Sequence, residues 1–294
     1  MADPLDLLGI AVGVAAALGY AAAARRVAGW STRRTAAWMA GCVAVLLGVA
    51  GPGALADEHD FVVHMAGHLL LGMVAPLLLV LGAPVTLALR VLPARRGRQL
   101  TRLLRRWPVR LLTEPAVAAV LDIGGLWLLY RTDLWARAVH EPLLHVLVHV
   151  HVLLAGYLFT LSVVGPDPLP HRRPYLHRAL VLVLAAAAHG VLAKTLYALP
   201  PAGVPVERAQ PGAMLMYYGG DVVELVLAAL LCARWYRASR PRVAGPPPLT
   251  ASPRPSGRRG PAAAARWAAT ARAPRRPGRR RPGPSSPTGW PARR

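Results

Sequence analysis

Seven stretches of the chain, about 5–24, 35–56, 61–82, 111–130, 141–163, 179–199 and 213–236, are almost continuously apolar, and the charged residues collect between them. A helix that crosses the hydrocarbon core of a bilayer needs about 20 such residues. The pattern therefore predicts an all-α, polytopic transmembrane bundle of seven helices within residues 1–240. Pro76 and Pro84 around the third stretch, and Gly219 and Gly220 in the seventh, do not count against this. In a membrane bundle, neighbouring helices satisfy the backbone groups that such residues free. From residue 241 the apolar pattern stops. Residues 241–294 hold 13 Pro and 13 Arg without periodicity, which predicts a disordered Pro/Arg-rich tail. The chain carries no clean internal repeat.

Composition agrees with the pattern and adds an orientation. With 54% hydrophobic residues and a mean hydropathy of +0.37, the chain is too apolar for an ordinary soluble domain, yet its formal net charge is +22. Two cysteines exclude a disulfide scaffold. Four Arg lie at 25–34, eight at 90–110, three at 164–178 and sixteen at 234–294, against only Arg131, Arg137 and Arg208 on the other side. Basic loops stay in the cytoplasm. The N-terminus is therefore expected outside, the C-terminus in the cytoplasm, and the acidic turn Asp57-Glu58-His59-Asp60 outside. The N-terminus lacks a basic region, so no cleaved signal peptide is expected. Arg33-Arg34, an apolar run and Ala54-Leu55-Ala56 imitate one, but they follow another span and read as a second membrane helix. The basic tail fits anionic lipid headgroups better than nucleic acid.

Ionisable groups inside a membrane are costly and each is a functional hypothesis. His64 and His68 share one face of span three, at i and i+4, and so do His145 and His149 of span five. At about 1.5 Å per residue, His64 and His68 lie about 5 and 10 Å below the outer end, and His145 and His149 about 6 and 12 Å. By the same rise His189 lies about 15 Å down, Lys194 about 8 Å, and Asp221 and Glu224 about 12 and 16 Å. The polar groups thus form one layer in the outer half of the bilayer. Imidazole suits Cu, Zn, Fe and Ni, and a thioether such as Met65 adds affinity for Cu(I). His64, His68, His145 and His149 are the candidate metal ligands of one site. His189, Lys194, Asp221, Glu224 and Glu141 are candidates to support them, since a ligating His usually donates its other N–H to a carboxylate or carbonyl.

A plainer reading stands beside each of these. A His pair on a membrane helix also serves as interhelical hydrogen-bonding glue. His151 faces away from His149 and reads as structural. His59 and His140 are interfacial, and His171 and His177 are placed for headgroup contact. Met214 and Met216 cannot share a helix face, so at most one is a ligand. Lys194 is expected to pair with Asp221 or Glu224. Cys42 and Cys232 lie at different depths and read as packing residues. Glu114 and Asp122 lie nearly on one face of span four, either as a proton route from the cytoplasmic side or in a structural role with Arg110 or a neighbouring helix. No P-loop, GxSxG, HExxH or CxxC motif occurs, and no enzyme activity is expected.

His64-Met65-Ala66-Gly67-His68, followed by Ala75-Pro76-Leu77-Leu78 and Leu81-Gly82-Ala83-Pro84, resembles the HMxxH, P-L-L and LG-x-P segment of the CtaG family of cytochrome c oxidase assembly proteins. His145 and the run to Gly156-Tyr157-Leu158-Phe159 are similar to that family's next His-bearing helix. Gly165-Pro166-Asp167-Pro168-Leu169-Pro170 is similar to its following loop. The resemblance covers about residues 5–240. It departs in span seven, where Tyr217-Tyr218 stand near Met216 in place of an expected Trp. It implies a multi-pass protein of the bacterial cell membrane that matures a haem–copper oxidase by delivering copper to its copper centre. It also implies an oxidase subunit or other assembly factors as partners. Two readings compete with it. One is a cytochrome b-like redox protein with the same histidines as axial haem ligands. The other is a proton-coupled transporter using Lys194, Asp221 and Glu224.

Overall fold

The computed structural model describes residues 4–50 and 60–240. The Pro/Arg-rich tail lies outside them, as do the signal-peptide-like residues 54–56 and residues 57–59 of the acidic turn. Among the described residues there are twelve α-helices, one π-helical turn and no strand. They are α1 (Pro4–Arg25), α2 (Thr32–Ala50), α3 (Phe61–Leu69), the π turn (Leu70–Val74), α4 (Ala75–Leu81), α5 (Pro84–Val91), α6 (Ala94–Leu104), α7 (Trp107–Leu112), α8 (Pro115–Arg131), α9 (Leu134–His140), α10 (Pro142–Val164), α11 (Tyr175–Ala198) and α12 (Val206–Ser239).

Each of the seven apolar stretches carries a helix or a run of helices. Four helical stretches are long and apolar enough to cross a membrane: Phe61–Val91, Pro142–Val164, Tyr175–Ala198 and Val206–Ser239. The other three fall short of that standard for local reasons. α8 has 17 residues, α2 spends its first turn on Arg33 and Arg34, and the described apolar part of α1 is Gly9–Arg25. Leu143, Leu180, Val183, Leu184 and Leu225 each expose more than half of their surface. Such an apolar belt is costly in water and neutral against lipid tails.

The third stretch runs on past residue 82, where it was expected to end. Ala83 adopts a left-handed conformation at φ 54°, which bends the chain, and Pro84 then opens α5. The residue before a proline is disfavoured in the right-handed helical region, so the break belongs there. Two contacts hold it. Tyr20 Oη of α1 donates to the Gly82 carbonyl at 2.7 Å. The Asp167 carboxylate accepts from the backbone N–H of Val85 and Thr86 at 3.2 and 2.8 Å, and from Thr86 Oγ1 at 2.6 Å. Asp167 of the Gly165–Pro170 loop thus clasps the first turn of α5, just past the Leu81–Pro84 motif, at the end of the bundle that carries the Arg-rich loops.

At that basic end Glu114 caps α8, accepting from the N–H groups of Ala116 and Val117. Its other oxygen receives His177 Nε2 at 2.9 Å and lies 3.4 Å from Arg173 Nε. Glu114 therefore ties α8 to the start of α11, not to Arg110, and His177 is bound within the protein where a headgroup contact was expected. α6 carries Arg95, Arg96, Arg98 and Arg102 and buries no residue. With exposed Trp107 after it, it has the make-up of a helix that lies on a membrane surface.

The long helices pack through small residues. α3 and α11 lie against α12, α2 along the π turn and α4, and α10 against α8, the π turn and α4. A Cβ at Gly156 of α10 would run into the Gly72 carbonyl, one at Gly212 into Phe61, and one at Gly219 into Leu69. Helices in lipid gain no hydrophobic drive from pairing, so close backbone approach supplies the dispersion contact. The π turn belongs to the same device. Pro76 has no N–H to give the carbonyl four residues back, and its ring would clash there. The widened turn carries the Gly72 carbonyl aside, against Gly156.

Candidate functional site

α3 starts at Asp60, whose carboxylate caps it by accepting from Val62 N–H at 2.8 Å. One turn in stands His64. Its Nε2 lies 2.8 Å from Tyr130 Oη, and its ring meets Trp135 edge-on with centroids 4.2 Å apart. Tyr130, 2% exposed, also reaches the sulfur of fully buried Met65 at 3.9 Å. Tyr130 and Trp135 were missed in the sequence. Their signal was an aromatic pair, Tyr130 closing span four and Trp135 just beyond it.

His68, a turn deeper, faces His189 of α11, with ring centroids 6.3 Å apart. Both rings are buried, and Nε2 of each has no hydrogen-bond partner. His189 Nδ1 lies 3.1 Å from Glu224 Oε1 of α12. Glycines make the room. A Cβ at Gly72 would stand 3.2 Å from His68 Cε1, and one at Gly220 would strike the His189 ring. Glu224 also shares with Asp122 a cavity of about 20 Å³ that includes Gly72 and Thr160 in its wall. That is room for a single water molecule.

His145 and His149 stack on each other with centroids 4.3 Å apart, and His149 Nδ1 lies 2.9 Å from the His145 carbonyl. His145 is exposed and His149 half-buried. Both lie within electrostatic reach of His64, and His149 and His189 within that of His68. The predicted supporting residues divide. Glu224 engages His189. Lys194 is exposed and its ammonium sits 5.0 Å over the Tyr217 ring, where an ion pair with Asp221 or Glu224 was expected. Glu141 is exposed and pairs with Arg137 at 3.5 Å. Asp221 is half-buried on α12 beside Gly220. Met216 is fully buried and Met214 exposed. His151 Nε2 lies 3.1 Å from the Leu121 carbonyl, joining α10 to α8.

Among the described residues no group of three or more His, Cys, Asp or Glu side chains is gathered as for one metal ion. The donor set is nonetheless of the right kind for copper. It holds several imidazoles, two buried thioethers and two imidazole nitrogens with no other partner.

The chain is 39% identical over 189 residues to uncharacterized proteins of Mycobacterium bovis and Mycobacterium tuberculosis, covering 62% of this chain and 28% of each relative. It is 35% identical over 187 residues to an uncharacterized protein of Mycobacterium leprae, covering 61% of this chain and 28% of that one. The chain thus spans less than a third of the length of these curated relatives. No solved structure matches it. Residues 17–238, which include every helix from α2 to α11 and nearly all of α12, match the Caa3_CtaG model. The chain therefore belongs to the family of cytochrome c oxidase caa3 assembly factors.

Proposed function

We propose that this chain is a multi-pass protein of the bacterial cell membrane that binds copper and delivers it to the copper centre of a cytochrome c oxidase. Its partner is an oxidase subunit still lacking its metal, or another factor in the same assembly. All seven apolar stretches cross the membrane, the N-terminus lies outside and the Arg-rich end faces the cytoplasm. His64, His68, His145 and His149 are the copper ligands, with His189, Glu224 and Met65 supporting them. The observation that carries this reading is a set of imidazoles in the half of the bundle away from the Arg-rich loops, two of them buried with an unpartnered ring nitrogen, in a family of oxidase assembly factors. His145 and His149 are the more exposed pair, so copper meets them first. His64 and His68 are the more buried pair at a similar depth, where a soft monovalent ion is held by nitrogen and sulfur. No bond is made or broken in a substrate: the ion is cargo and passes between ligand sets.

Metal analysis of the purified protein with and without added Cu(I), for wild type and the double variant His64→Ala/His68→Ala, tests this. Wild type is expected to retain copper and the double variant to lose most of it. Equal copper in both removes these histidines from the site. A Soret band in the purified protein assigns the histidines to haem and overturns the copper reading.

A further inference from the structure

Three buried side-chain atoms among the described residues have no hydrogen-bond partner: Nε of Arg178 and the Nε2 atoms of His68 and His189. Arg178 is otherwise engaged, since its NH1 donates to the Val163 carbonyl at 2.9 Å. The two imidazole nitrogens are different. They belong to rings 7% and 1% exposed, on different helices, with centroids 6.3 Å apart and planes tilted by 41°. A lone polar nitrogen in an apolar interior costs free energy and asks for a cause.

The neighbour of His189 fixes its tautomer. Glu224 Oε1 lies 3.1 Å from Nδ1. A carboxylate accepts, so Nδ1 donates and the lone pair is on Nε2. A metal-bound His has this arrangement, with a carboxylate on the far nitrogen orienting the ring and raising its basicity. Glycine at positions 72 and 220 clears the space around both rings.

We propose that His68 and His189 form a two-coordinate site for monovalent copper, braced by Glu224. The proposal rests on the copper reading above and changes its ligand set, moving His189 from support to ligand. Metal–imidazole bonds of about 2.0–2.1 Å put two opposed nitrogens about 4 Å apart, and their ring centroids a little over 6 Å apart. The observed centroid separation is 6.3 Å. No third His, Cys, Asp or Glu is gathered with them among the described residues. Zinc, which takes four ligands in structural sites, is poorly served by such a pair. Cu(I) accepts two.

Copper K-edge absorption of the full-length protein in detergent, loaded anaerobically with Cu(I), tests the site. The expected spectrum has the sharp pre-edge feature of two-coordinate Cu(I) and a first shell of two imidazole nitrogens. His68→Ala and His189→Ala are each expected to lose that copper. His189→Met keeps a soft donor and is expected to retain copper with one sulfur in the shell, a result that a merely structural role for His189 would not give. Glu224→Gln is expected to weaken binding about 10–100-fold. A wild-type shell of three or four nitrogens overturns the pair by itself, whatever the variants do. Full binding by His189→Ala, with loss in His64→Ala and His149→Ala, overturns the pair and leaves the four-histidine reading standing. Failure of the wild type to bind Cu(I) overturns both.

Discussion

Glu114 binds three segments through one carboxylate. It caps α8, receives His177 and lies beside Arg173. Burial alone would raise its pKa, but the N–H groups of Val117 and Ala116 and the His177 ring outweigh that and hold it below the usual glutamate value. The sign of the pH effect follows. A carboxyl with a depressed folded pKa contributes stability that is complete above its unfolded value of about 4.3 and is lost as pH falls through the folded value. Thermal unfolding in detergent across that range is expected to fall more steeply for wild type than for Glu114→Gln, and parallel curves would show that Glu114 does not set the acid limit. Glu114 was visible in the sequence as a polar residue at a span end. Its partners were not, because they come from a loop and helix about 60 residues away. His189 was named from the sequence as a supporting residue, but its approach to His68 was hidden for a related reason. A pair at i, i+4 announces its shared face, but a single His on a helix apolar on every side does not reveal which way it points. Where lipid and core are equally apolar, hydrophobic periodicity no longer separates inside from outside.

Helices and their contacts were legible unevenly. The cores of the long helices follow directly from the apolar runs, because the backbone has to satisfy itself in lipid. The π turn, the left-handed Ala83 and the short α5 do not, because each is fixed by a tertiary contact. Gly156 is the sharpest case, since its missing side chain is what lets α10 meet the Gly72 carbonyl. The obstacle there is backbone, which cannot swing aside. Gly156→Ala is therefore expected to force α10 away and lower stability by about 1–3 kcal/mol, the usual range for overpacking. Thermal unfolding of the variant checks this. A wild-type midpoint would show that the two helices separate without cost.

At the scale of the whole molecule, the distribution of Arg divides the bundle into two unlike ends. One end carries α6 and the loops held by Asp167 and Glu114. The other carries the first turns of α3 and α10, with their histidines. If the Arg-rich end is cytoplasmic, the imidazoles open outward, and on the copper reading proposed above the ion reaches them from that side. A reporter fused after residue 240 is then expected in the cytoplasm, and one within residues 200–205 outside. The reverse result would turn the imidazole layer to the cytoplasm and require a cytoplasmic source of copper. This division was the most legible property of the chain, because it depends on where the charges fall and not on how any helix is rotated.

The wide turn at Leu70–Val74 sets the phase between two halves of one membrane-spanning rod. Below it, α4 is locked by the bond from Tyr20 to Gly82 and by the Asp167 clasp on α5. Above it, α3 carries His64 and His68. In an unbroken α-helix, each residue added or removed turns everything beyond it by about 100°. The direction in which the imidazoles point is therefore set by the residue count between a fixed lower anchor and the upper half. The extra slack of the turn gives the count its value. Rewound to an ordinary α-helix, the same side chains would keep their depth and lose their aim, and His68 would swing off His189 toward a neighbouring helix or the lipid.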